Sequence, residues 1–358
     1  MLFGEHAVLK NHPALCMAIN QRLKLILEPR LDNLLNIKSN LGELNLDILK
    51  IQNSLPIQPF SYLIKAFQTY QKVYPDLFNT GFDLTISSDF SSTIGFGSSS
   101  ALIISLISAL EIYIDSDFVS PLAGETGPKM KLRDREGANL FQKIFQISKK
   151  LLLDIQGQGS GTDLATALYG GIVFYQAEPL LIQKLELKNL NNLTHLFTAI
   201  YSGKKTPTST VISLIQNAYK NNPDLYKTYF QKIHEITLQA KQAILNNNLN
   251  LLGALMNTQH MLMEAMNLST PAIQTLIHAC QSEQLLGAKI SGSGLGDCII
   301  TLGKLKPHTF PQNPAQKAMG ILQIPLEISD QGLLWEVQDF VFPPVGETDP
   351  QGQRGGLF

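Results

Sequence analysis

Residues 81–88, GFDLTISS, alternate apolar and polar side chains with the period of a half-buried strand. They lead through a polar turn, TIGFGSSS at 93–100, into ALIISLISAL at 101–110, where no charge appears before Glu111. That apolar run predicts a buried core helix. AINQRLKLILE, Ala18 to Glu28, sets Arg22 and Lys24 between Leu23, Leu25 and Leu27 and predicts another strand. Helical spacing marks Pro56 to Lys72, Gly137 to Leu153, Val211 to Leu252, Leu252 to Met266 and Thr270 to Gln281. A helix end and restart is expected at NNNLNLL, 246–252. GGIVFY at 170–175 and LFTAIYSG at 196–203 predict strands. Between them the composition changes near Pro179 to Leu193, where a domain boundary is expected. Ser116 to Glu136, with Pro121, Gly124, Gly127 and Pro128, reads as an exposed connection, and the glycine- and proline-rich end, 341–358, as a frayed tail.

The turn before the apolar run is richer than a helix start requires. A cap needs one Ser, Thr, Asp or Asn, so Ser98 or Ser99 suffices, and Gly95, Gly97 and the other serines are left over. Glycines admit close approach of a ligand to the backbone, and the unpaired N–H groups of a first helical turn attract an anion. The turn is not a Walker loop, because no Lys-Ser or Lys-Thr pair follows, and it lacks the third glycine of GxGxxG. A phosphate cradle and a plain capped core helix both account for it.

The 358 residues are enough for about two domains. Lys and Arg number 28 against 29 Asp and Glu, so no basic surplus is present to grip nucleic acid or an anionic membrane, and small-molecule chemistry is expected instead. Cys16, Cys280 and Cys298 stand far apart among apolar neighbours, as reduced thiols of a cytoplasmic protein do. No apolar run approaches the ~18 residues that span a bilayer. No cleavable signal is read either, since Glu5, His6 and Lys10 interrupt the start. The seven histidines show no metal-ligand spacing; His234, His260 and His278 fall in helical patterns.

Three glycine-dense sites stand out: GEHAVLKNHPAL at 4–15, GFGSSSA at 95–101 and GAKISGSGLGDC at 287–298. A fourth segment, GSGTDLATALYGG at 159–171, follows Gly157 in an irregular loop whose acid is Asp163. Together, and in this order, they resemble the motifs of the GHMP kinase superfamily, most closely in their mevalonate kinase form. The resemblance runs from the first residue to about Val337. It implies an α+β, two-domain fold. An N-terminal ribosomal-protein-like α/β domain would occupy 1–190 and a C-terminal ferredoxin-like α+β domain 191–340.

It also implies ATP and Mg²⁺, with transfer of the γ-phosphoryl group to the primary hydroxyl of mevalonate. The phosphates would be held by Gly95, Gly97, Ser98, Ser99 and Ser100, with Ser99 on the metal, and the loop steadied by Gly292, Ser293 and Gly294. Glu5 and His6 would border the acceptor. Asp163, which alone would read as a loop acid in an Asx turn, becomes the acid that orients the hydroxyl and accepts its proton. Lys204, Thr208 and Thr210 in GKKTPTST read either as a substrate-contacting segment or as a solvated turn. Lys10, Arg22, Lys204 and Lys205 are candidate cations for a substrate carboxylate.

Three departures bear on this expectation. The family's first motif opens on a Pro-Gly-Lys that would precede Met1, so an upstream start carrying that Lys is expected. The family's magnesium-binding Glu, eleven residues ahead of the catalytic Asp, is replaced by Leu152, which leaves Asp154 as the nearest acid for the metal. GSGTDLATALYGG and the Asp297-Cys298 pair are closer to phosphomevalonate kinases, whereas GEHAVL favours mevalonate. Phosphomevalonate is therefore the alternative acceptor, and a ligand-binding relative without catalysis the alternative class. The oligomeric state is left open, with a homodimer as one option.

Overall fold

The computed structural model describes residues 1–55, 57–78, 80–90, 94–115, 134–187 and 193–337. Of the connection expected at 116–136, residues 116–133 lie outside them, as does the tail at 341–358, whereas 134–136 already belong to a helix that opens at Asp134.

The first strand, β1 (Ala14–Met17), is buried at every position, and residues 1–3 run beside it through a Phe3–Leu15 bridge. It pairs antiparallel with β6 (Ile172–Gln176), which pairs in turn with β7 (Leu181–Lys184). The strand expected at 18–28 is β2 (Leu23–Pro29), whose side chains alternate in exposure as the sequence does. It pairs with β5 (Phe82–Ser88), Leu27 opposite Leu84. A hairpin not foreseen in the sequence, β3 (Leu34–Ser39) and β4 (Gly42–Asp47), completes this sheet in the order β2-β5-β3-β4, with β3 parallel to β5.

Four helices share the first half's core: α1 (Ser61–Val73), α2 (Ser98–Asp115), which packs on β2, α3 (Asp134–Gln156), and α4 (Thr162–Tyr169), which packs on β1 and β6. The apolar run becomes α2, with Ile103, Ile104, Leu106, Ile107 and Leu110 all buried in one core with Phe67, Phe82 and Phe145. Its first charge, Glu111, is buried as well. A carboxylate there needs partners, and it takes the Tyr70 hydroxyl at 2.6 Å and Lys143 Nζ at 2.5 Å.

A third sheet, wholly antiparallel, has the order β11-β8-β10-β9, from β8 (Phe197–Ser202), β9 (Gly287–Ser291), β10 (Cys298–Leu302) and β11 (Ile321–Leu326). Helices α5 (Thr208–Asn221), α6 (Pro223–Leu245), α7 (Leu249–Ala265) and α8 (Pro271–Ser282) accompany it, with the short α9 (Pro314–Ala318) before β11. The helical stretch expected from Val211 is cut at Asn222, because Pro223 opens a new helix. The predicted restart at 246–252 is present: Asn247 is left-handed, φ 52°, and Asn248 caps α7 through Leu251 N.

The two halves share a core. Leu15, Met17 and Phe174 of the first sheet pack with Phe197, Ile300 and Leu326 of the last. Beyond β11 the chain returns to the first half, where Ser329 accepts from Gly171 N at 2.7 Å and Arg22 donates to the Gly332 carbonyl at 2.7 Å. Between the halves the N-terminus of α2 faces the turn from β9 to β10.

Candidate active site

Helix α2 begins at Ser98, one residue earlier than a Ser98 cap would require. Gly97 therefore stands at the cap, its carbonyl accepting from Ala101 N at 3.0 Å, and Ser98, Ser99 and Ser100 form the first turn. The expectation of a Ser98 or Ser99 cap is corrected accordingly. Gly97 adopts φ 76°, where a Cβ is strained, and an added Cβ would lie 3.7 Å from that of Asp163. The positive end of an 18-residue helix, three hydroxyls and a carboxylate thus meet at one glycine.

Asp163 reaches that place because the loop before α4 is fixed from below. Gly157, Gly159 and Gly161 all have positive φ, so the chain turns sharply between α3 and α4. Tyr175, fully buried on β6, donates its hydroxyl to the Ser160 carbonyl and receives Lys149 Nζ at 3.3 Å; burial pushes its pKa up to about 12. The Ser160 hydroxyl accepts from Thr162 N at 3.2 Å and starts α4. Asp163 is the second residue of that helix and is exposed to the cleft. The Cys16 thiol, its pKa raised by burial, donates to Asp163 Oδ1 at 3.7 Å.

The third glycine segment meets the Gly95–Ser100 turn through an acid rather than through its glycines. Asp297, in the turn between β9 and β10, accepts the Gly95 N–H at 3.0 Å. Burial raises its pKa, against the opposing effects of the Gly95 N–H and of Lys205. Gly294 packs on Leu268 instead, where a Cβ would lie 2.8 Å from the Leu268 carbonyl oxygen.

The first segment is anchored to the same half. Glu5 is buried and paired with Lys289 of β9, with Gln259 Nε2 donating to its other oxygen. Burial lowers the Lys289 pKa while Glu5 raises it. His6, at φ 61°, shares a hydrogen between Nε2 and the Ser293 carbonyl at 2.8 Å, and burial lowers its pKa.

A cavity of about 250 Å³ results, and it brings most of the expected residues together: Glu5, His6, Gly95, Gly97, Ser98, Ser99, Ser100, Asp163, Thr208, Gly292 and Ser293. Lys205 lines it and Lys204 does not; Thr210 and Gly294 are also outside its lining. Asp154 is exposed on α3 and does not line this cavity, whereas Leu152 does. Two residues on a helix are about 200° apart, so an acid at 154 cannot replace one at 152. Asp297, Lys289 and Tyr175 are the residues that local sequence reading missed. A lysine in the apolar strand GAKIS and an acid closing a glycine turn were the available signals. A second cavity, about 300 Å³ and mostly apolar, lies on the other side of the Gly95–Gly97 turn, with Asp163 on its wall too.

A helix N-terminus open to a cleft, with a carboxylate beside it and a second α+β half closing over it, can hold phosphates next to an acid, which is what phosphoryl transfer to a small molecule needs. The chain matches the GHMP kinases N terminal domain over residues 61–129 and the GHMP kinases C terminal over 240–318. The mevalonate kinase of Pyrococcus furiosus is 27% identical over 349 residues, 93% of this chain and 95% of its own. The crystal structure of the Methanococcus jannaschii mevalonate kinase superposes with a TM-score of 0.68 at 22% identity, covering 91% of this chain and 95% of its own. The phosphomevalonate kinase of Streptococcus pneumoniae, solved with phosphomevalonate and AMPPNP, gives 0.61 at 18% identity over 90% and 96%. The chain thus carries both the N-terminal and the C-terminal GHMP kinase domain, in that order, on a two-domain fold shared with ATP-dependent kinases.

Proposed function

We propose that the protein transfers the γ-phosphoryl group of ATP to the primary hydroxyl of mevalonate. The observation that carries this reading is the position of Asp163 against Gly97, on the wall of the cavity that Ser98 to Ser100 open. The phosphates lie on the α2 N-terminus; the acceptor hydroxyl lies at Asp163, loses its proton to the carboxylate and attacks the γ-phosphorus, and ADP leaves. The proposed domains divide at 190/191, in the segment that joins β7 to β8.

Among the described lining residues Lys205 is the one lysine, and the Arg22 guanidinium is taken by the Ser329 hydroxyl and the Gly332 and Gln331 carbonyls. One cation suits a carboxylate acceptor, whereas phosphomevalonate, with a phosphate besides, calls for more. That favours mevalonate over the alternative.

Oxygen donors and an acidic excess, Asp163 and Asp297 against Lys205, suit a hard divalent cation that arrives on the phosphates. Among the described residues no group of three or more His, Cys, Asp or Glu could hold a metal alone; a cation bound largely through phosphates does not need one. Ser99 would hold Mg²⁺, which would supply charge neutralisation at the phosphates; Asp154 does not fit. Among the described residues no helix is long and apolar enough to cross a membrane. A cytoplasmic enzyme with a small-molecule substrate and no nucleic-acid or membrane partner is the reading we adopt, and a homodimer is compatible with it.

The test is ADP release with mevalonate, with phosphomevalonate and with neither, in Mg²⁺ and in EDTA. Turnover with mevalonate that EDTA stops is expected. Turnover confined to phosphomevalonate would move the acceptor assignment, and nucleotide binding without turnover would favour the ligand-binding class.

A further inference from the structure

The N–H of Gly95 belongs to the turn that should receive phosphate, yet it already holds an anion. Its acceptor is Asp297 Oδ1, 3.0 Å away and 202 residues along the chain, from the opposite half of the molecule. The fit is close: a Cβ on Gly95 would stand 1.9 Å from Asp297 Oδ2. The carboxylate is delivered by a left-handed backbone, φ 64°, and its main chain is pinned on both sides. Asp297 N donates to the Lys204 carbonyl, and its own carbonyl accepts from Ser202 N at 2.8 Å. The Cys298 thiol adds a weak donor at 3.8 Å. Such a backbone strains a side chain and persists only where the surroundings impose it.

We propose that Asp297 is an internal competitor of the nucleotide: its carboxylate occupies the Gly95 amide, and the phosphates of ATP displace it when they bind. This rests on the kinase reading above. The phosphates carry the same sign as Asp297 and enter the same cavity, so the two anions cannot share one donor. Lys205 lines that cavity and attracts the Asp297 carboxylate, which gives the displaced group a destination within the site. The contact also ties the loop to the second half of the molecule, so nucleotide entry and release of that tie become one event. Holding Asp297 on Gly95 thereby lowers nucleotide affinity in exchange for an ordered loop in the empty enzyme.

The test is calorimetric titration of β,γ-imido-ATP with Mg²⁺ into the parent chain, Asp297→Gly and Asp297→Asn. Glycine removes the competitor and suits the left-handed backbone. Asparagine keeps an oxygen for Gly95, removes the charge and tolerates the same φ. Roughly tenfold tighter binding is expected for Asp297→Gly, the scale of one charge-assisted hydrogen bond, with Asp297→Asn between it and the parent. A purely structural role for Asp297 would not tighten binding. Equal or weaker binding in Asp297→Gly, at a melting temperature near the parent's, overturns the competition and leaves the kinase reading standing. If Asp297→Gly does not fold, Asp297→Asn decides by the same criterion. Absence of nucleotide binding by the parent and both variants overturns the two readings together.

Discussion

Lys289 and Glu5, 284 residues apart, form an ion pair in which the side chains are 0% and 1% exposed. The pair is completed by the Ile290 carbonyl on the ammonium and by Gln259 on the carboxylate. Removing one partner of such a pair strands a buried charge, which costs about 3–5 kcal/mol, whereas removing both is often close to neutral. Lys289→Met should therefore lower the unfolding free energy in urea by about that amount. Glu5→Gln with Lys289→Met should recover most of the loss. A Lys289→Met protein as stable as the parent would show that the pair carries no such charge.

Asp163→Asn should keep the loop geometry, since asparagine fills the same space beside Gly97, but it removes the proton acceptor. A fall in kcat of about 10²–10⁴ is expected, the usual share of a positioned acid or base, with the affinity for an ATP analogue nearly unchanged. Loss of nucleotide affinity equal to the loss of kcat would instead make Asp163 a binding residue.

Much of this was legible in the chain. The strand at 82–88 and helix α2 follow from hydrophobic period alone, because Leu84 and the isoleucines of α2 bury the faces that their spacing marks. The β3–β4 hairpin was not, since Asn36, Lys38, Glu43 and Asn45 have low strand propensity and only Leu35 and Ile37 are fully buried. The cut at Asn222 was visible in the dipeptide Asn222-Pro223 and was passed over for the apolar period around it. At the cleft, the glycine segments pointed to residues that the fold does bring to one cavity, Gly95 to Ser100 and Asp163 among them, because each segment carries its own local signature. The partners did not emerge: Asp297 meets Gly95 across 202 residues, and no local pattern encodes a pairing at that distance. Asp154 failed for a different reason, in that nearness in sequence was substituted for the face of a helix.

Acid should destabilise the fold in a defined window. Burial lowers the pKa of His6, against the opposing pull of the Ser293 carbonyl and Glu5. Burial and the neighbouring His234 lower His12, and burial lowers His260 despite Glu264. The unfolded chain takes up these protons near its unperturbed value of 6.5, while the native state refuses them until a lower pH. More protons on the unfolded state means that stability rises with pH, so this contribution is intact above 6.5 and is lost as the pH falls toward the native values. The melting temperature should be level from about pH 8 to 7 and decline from there toward pH 5.5, with a shallower decline in His6→Gln. A melting temperature that climbs on acidification through the same window would contradict the burial of these rings as neutral groups.

Lys204 and Lys205 offer the sharpest comparison, because they are adjacent, both exposed, and differ in what they face. Only Lys205 lines the cavity with Asp163 and the first turn of α2, and Asp297 feels its charge. The backbone carbonyl of Lys204 holds Asp297 N, a contact that survives any change of its side chain. Lys205→Ala should then raise the KM for mevalonate by roughly tenfold or more, the scale of one charge-assisted hydrogen bond to a carboxylate, while Lys204→Ala should stay within about twofold of the parent. If Lys205 serves the phosphates instead, the rise will appear in the KM for ATP. Steady-state kinetics with each substrate varied in turn separates the two, and equal effects in both lysine variants would mean that neither side chain reaches the substrate.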